Sequence, residues 1–140
     1  MYNFSMLRDD SPQPFSYYLP AVVILILLGG GGLYLVLTQT LPTVGPRWLF
    51  YLTLILLCAG LFMPLAWVIN RRFSSDPPAG PHVIIRQAVW FGVFAALLSW
   101  LQIARVLSLP LGIIMGIALF LIEFLIRMWE RSRWKPNLPA

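Results

Sequence analysis

A chain of 140 residues that is 59% hydrophobic and only 11% charged is not an ordinary water-soluble domain, in which about 25% of residues are charged. Its net charge of +5 comes from basic residues that punctuate apolar runs instead of gathering on a polar face. That excludes a nucleic-acid surface and is the pattern of a membrane protein.

Before the first apolar run stand Arg8, Asp9 and Asp10, so no basic leader precedes it. The run itself, residues 19–37, is too long for a signal-peptide core and no A-x-A site follows. It is expected to stay in the mature protein as a membrane span. A helix needs roughly 20 mainly apolar residues to cross the hydrocarbon core. In chain order the sequence predicts an N-terminal tail (1–17), a first span (18–38) and a second span (46–70). A Pro-rich loop (71–84) then leads to a third span (85–107), a fourth (111–129) and a basic tail (130–140). Pro20 and Pro46 fall in first turns, where the missing N–H costs nothing. Ser108, Leu109 and Pro110 are expected to form a tight turn between the last two spans. The fold class is all-α: an integral-membrane four-helix bundle.

Four spans put both termini on one side. Arg8, Arg71, Arg72, Arg86, Arg127, Arg131, Arg133 and Lys135 lie on that side, against Arg47 and Arg105 on the other. The positive-inside rule therefore predicts both termini in the cytoplasm. Tyr17, Tyr18, Trp67, Trp90, Trp129 and Trp134 are expected at the inner interface, and Trp48 and Tyr51 at the outer one. Trp100 lies deeper and fits such a belt less well.

Several features could carry packing or chemistry. Gly29, Gly30, Gly31 and Gly32 weaken the first helix but let another backbone approach closely. They read as a helix-packing surface, with a lipid, quinone or pigment contact as the second reading. No Lys-Ser/Thr follows, so they are not a phosphate loop. Gly60 and Pro64 predict a kink in the second span. Cys58 reads as a small apolar filler.

The third span carries Ala88, Gly92, Ala95, Ser99 and Gln102 along one helical seam, and the fourth has a small-x-x-x-small pair, Gly112 and Gly116. Counting outward from the expected turn sets Gly116 opposite Gln102 and Glu123 opposite Ala95. Glu123 is the one acid within a span, about 10 Å from its cytoplasmic end, and Arg127 follows four residues later in the favourable order. A structural ion pair is the first expectation for it; proton or substrate handling is the second. Arg105 is expected to snorkel to the outer headgroups, near Gln102.

His82 stands alone in the loop and cannot make a metal site, and no span offers an axial ligand for haem or chlorophyll. The sequence contains no nucleophile–base pair, carboxylate dyad or Cys/His cluster. The expectation is a non-enzyme with no metal and no cofactor of its own, with lipid or quinone at most at its periphery.

At PRWLF (46–50), RQAVWFG (86–92), LSWLQIARVL (98–107) and IEFLIRMWERSRWKP (122–136) the chain resembles a set of small four-span membrane proteins of the Chloroflexota, the green filamentous phototrophic bacteria and their relatives. The resemblance covers about the last two-thirds of the chain. It implies a bacterial inner-membrane setting and brings no activity or site residue with it. By lineage it points to an accessory subunit of an energy-transducing, quinol-oxidising assembly of the alternative complex III type, with a photosynthetic reaction-centre complex as another host. The competing expectation is a homo-oligomeric transporter or lipid-handling protein that uses Glu123. Small multidrug exporters carry their essential Glu in the first span, which here has no charge.

Overall fold

A computed structural model describes residues 13–41, 43–73 and 79–133. The described residues form four α-helices and no strand: α1 (Phe15–Gln39), α2 (Val44–Arg72), α3 (Pro81–Ile103) and α4 (Leu109–Arg133). All four are long and apolar enough to cross a membrane. Hydrocarbon offers no hydrogen bonds, so a helix, which satisfies its own backbone, is the form such runs must take. The chain is thus an all-α, four-helix multi-pass membrane protein. Arg8 and the N-terminal tail to residue 12, loop residues 74–78, and Trp134 and Lys135 of the basic tail lie outside the described residues.

The helices extend the expected spans by a few residues, with two informative differences in α3. Its start lies at Pro81, whose fixed φ suits the first helical position after the Gly80 cap. His82, expected in a loop, therefore sits in the first turn of α3, and Val83 and Ile84 behind it are buried.

The other end of α3 stops at Ile103, not 107. Arg105 adopts the left-handed conformation, φ 55°, and donates its N–H to Gln102 O at 3.0 Å, while Val106 N–H reaches Leu101 O at 3.0 Å. This pair of bonds is a Schellman cap, which usually places glycine where Arg105 stands. A side chain in that conformation costs roughly 1–2 kcal/mol.

The helices pack in chain order. α2 lies between α1 and α3, and the backbone of α4 approaches that of α3 alone, much more sparsely. Close approach on the α1–α2 side comes from glycines. A side-chain carbon at Gly29 would lie 2.7 Å from Leu57 Cα, and one at Gly32 would lie 2.6 Å from Thr53 Cγ2. From the other side, Gly60 faces Leu25 and Ile26. Only the first and last glycines of the run make this approach; Gly31 faces open space. α2 continues through Pro64 to Arg72.

Part of the small stripe of α3, Ala88 and Gly92, faces α2 and not α4 as expected, while Gln102 lines the cleft beside α4. Ala88 is fully buried in a core with Tyr18, Val22, Ala59, Met63, Ala66 and Ile84, and Gly92 abuts the Ile55 carbonyl of α2. Tyr18, expected in an interfacial belt, is 2% exposed at the centre of this core. Towards α4 the third helix instead presents Phe94 and Leu98, beside Gly116 and Gly112 respectively. The register expected from the turn, Gly116 against Gln102, is displaced because the Arg105 cap ends α3 four residues early and moves the centre of the hairpin back.

These contacts separate the glycines by experiment. Gly29→Ala must push the α2 backbone away and should destabilise the fold by about 1–3 kcal/mol. Gly31→Ala adds helix propensity in open space and should be neutral or stabilising by up to about 1 kcal/mol. Equilibrium unfolding in mixed micelles measures both.

Candidate functional site

The end of the molecule that carries the 73–80 connection and the start of α1 is called the charged end here; the other is the turn end. At the charged end six polar side chains from three helices meet. α3 contributes Arg86 and Gln87, α2 contributes Asn70, and α4 contributes Glu123, Arg127 and Glu130. Glu123 and Glu130 are seven residues apart, two helical turns, so both project from one face of α4 with Arg127 between them.

Arg86 binds both acids. It donates from Nε to Glu123 Oε2 at 3.0 Å and from Nη2 to Glu123 Oε1 at 3.0 Å. It also donates from Nη1 to Glu130 Oε1 at 2.7 Å and from Nη2 to Glu130 Oε2 at 3.2 Å. The guanidinium is the side chain suited to this, because its rigid fork can meet two carboxylates at once. Glu123 is the most enclosed member, its side chain 14% exposed against 23% for Arg86 and 34% for Glu130.

A second strand of the network reaches α2. Arg127 donates from Nη2 to Asn70 Oδ1 at 2.8 Å. The Asn70 amide donates in turn to Gln87 Oε1 at 2.6 Å and to the Ala66 carbonyl at 2.7 Å. Two arginines against two carboxylates leave the cluster without net charge. The expectation that Glu123 is held in an ion pair is met, but its partner is Arg86 across the helix boundary, and Arg127 reaches towards α2. The i,i+4 spacing on α4 is visible in sequence; the inter-helix level is not. Glu130 lies just past the expected end of the fourth span, where run length gives no reason to place it with Glu123. The heptad spacing Glu123–Glu130 and the polar trio Asn70, Arg86 and Gln87 flanking the loop were the available signals.

The other expected residues are not gathered here. Gly29 and Gly32 serve the α1–α2 contact, Ser99 is part-buried in α3, and Gln102 and Arg105 are exposed at the turn end. Gly112 and Gly116 line an open cleft of about 680 Å³ between α3 and α4 at the turn end. The start of α1 has its own tie at the charged end. Trp67 donates its indole N–H to Gln13 O at 3.2 Å, with the Phe15 ring 5.3 Å and the Arg71 guanidinium 5.0 Å from its ring.

Chemically the cluster is a clamp. Both oxygens of Glu123 and both of Glu130 are engaged by one guanidinium. Among the described residues no three His, Cys, Asp or Glu side chains are grouped to hold a metal. Comparison with protein-family models, curated proteins and solved structures returns no match.

Hydrogen bonds to charged groups contribute about 1.5–3 kcal/mol each, and stranding one partner of an enclosed pair costs more than the pair is worth. Double-mutant cycles should therefore give a coupling between Arg86 and Glu123 of at least about 1 kcal/mol, larger than that between Arg127 and Glu123. Unfolding of the single and double alanine variants in mixed micelles measures the two couplings.

Proposed function

We propose that the protein is a non-catalytic accessory subunit of a larger membrane-embedded complex, set in the bacterial inner membrane with both termini in the cytoplasm. The observation that carries this reading is the closed, charge-balanced clamp at Arg86, Glu123 and Glu130. The acid that would have to move protons or substrate is spent on holding helices together. A transporter built on Glu123 would need that carboxylate released from Arg86 in each cycle, so the homo-oligomeric transporter is the weaker reading.

The free surface of α4 supports a role in lateral contact. None of its residues is buried within the chain, although it carries Gly112 and Gly116 and the two acids of the clamp. Small-residue motifs and enclosed charges are what membrane helices use to associate, since apolar surface alone gives no drive to pack in lipid. The lineage implied by the sequence resemblance points to an energy-transducing host that oxidises quinol, of the alternative complex III type. A reaction-centre complex is the second host. In either, the chain would stabilise helix packing and the lipid or quinone surroundings and would bring no cofactor of its own.

Extraction in mild detergent followed by native mass spectrometry tests this. The expected outcome is co-migration with larger membrane subunits and with quinol-oxidising activity, and loosened assembly in Glu123→Gln. Recovery solely as a homo-oligomer, or substrate-coupled proton flux lost in Glu123→Gln, would contradict it.

A further inference from the structure

The cleft at the turn end and the strained Arg105 beside it have no part in the clamp. The cleft is walled by Phe94 and Leu98 of α3 and by Gly112, Gly116 and Ile117 of α4. Its lining runs along α4 from Leu109 to Ile117, about 12 Å at the helical rise, close to half of the roughly 30 Å hydrocarbon core. The apolar wall gives way at its mouth to Gln102 and Ser108. Arg105 lies in that same turn, three residues from each, and is exposed.

Two observations make this more than an uncovered apolar face. First, Arg105 occupies a cap position where glycine is the unstrained choice, so a cationic side chain stands there in a left-handed backbone conformation. Second, the charge at this end is uncompensated. The acids of the chain are Asp9, Asp10, Asp76, Glu123 and Glu130, none of them in the 40–43 or 104–108 connections. Among the described residues Arg105 has no carboxylate partner. An exposed guanidinium at headgroup depth attracts an anionic phosphate, and no described carboxylate competes with it here.

We infer that the α3–α4 cleft holds one acyl chain of an anionic phospholipid from the leaflet at the turn end, with its phosphate on Arg105 and its glycerol region beside Gln102 and Ser108. Gly112 and Gly116 leave room for the chain where a larger residue would fill the cleft. This inference stands whether or not the protein is a subunit of a larger complex.

The test uses the full chain in micelles titrated with equal amounts of phosphatidylglycerol and phosphatidylcholine of the same acyl composition, read by native mass spectrometry. One basic residue near a membrane surface corresponds to about a fivefold preference, so the first retained lipid should be phosphatidylglycerol by about that factor. Arg105→Gly should abolish the preference while leaving the melting temperature unchanged or raised, because it relaxes the cap. Arg47→Gln should leave the preference intact. Gly116→Leu should remove the first bound lipid of either kind, with helicity retained by circular dichroism. Equal retention of the two lipids by the parent chain would overturn the inference. So would a preference that survives Arg105→Gly, which assigns it to other basic residues, or a cleft closed by dimerisation with no lipid bound.

Discussion

The guanidinium of Arg86, which binds two carboxylates of α4 at once, is the main attachment of α4 to the rest of the molecule at the charged end. In water, an amphipathic helix is held by the burial of its apolar face. In lipid that drive is absent, because the bilayer is as apolar as the neighbouring helix. Association then depends on how closely backbones approach and on which polar groups find partners. α1, α2 and α3 use the first device, through Gly29, Gly32, Gly60 and Gly92. α4 has no comparable approach, since Gly112 and Gly116 face Leu98 and the ring of Phe94 at ordinary contact distance. It uses the second device, through Arg86 and through Arg127 on Asn70.

The two devices produce different helix pairs. Glycine contacts lie in the middle of the α1–α2 boundary, at Gly29, Gly32 and Gly60, and at Gly92 on the α2–α3 boundary, and bring the backbones close there. The clamp acts at one end only, so α4 is tied by polar contacts at the charged end and meets α3 loosely at the turn end, where the cleft opens. The same asymmetry leaves most of α4 uncovered by the chain, which is the surface the accessory-subunit reading assigns to a neighbour. A charge-neutral cluster suits this geometry: it desolvates partly, with Glu123 the most enclosed, and it leaves no net charge within the span.

Much of this was legible in the sequence. Apolar run length located all four helices, because that signal depends only on the thickness of the bilayer. The need for Glu123 to be paired was legible for the same reason. Its partner was not, because the local Arg127 spacing is visible while the level of α3 against α4 depends on where α3 ends. That end is set by Arg105 in a left-handed cap without glycine, and residue type gives no sign of it. Pro81 acts in the opposite direction: expected in a loop, it opens the helix and brings Arg86 and Gln87 about one and a half turns into it. Tyr18 looked interfacial by type and position. It is buried because Ala59, Ala66 and Ala88 leave space for its ring among three helices.

The most direct measurement is the α3–α4 distance distribution by double electron–electron resonance, on a Cys58→Ser background with spin labels at the exposed positions Val89 and Phe124. Labels at Leu28 and Leu61 report α1–α2 as an internal reference. If Arg86 holds α4, Arg86→Gln should broaden the 89–124 distribution and leave 28–61 unchanged. A 89–124 distribution as narrow in Arg86→Gln as in the parent chain would contradict the account.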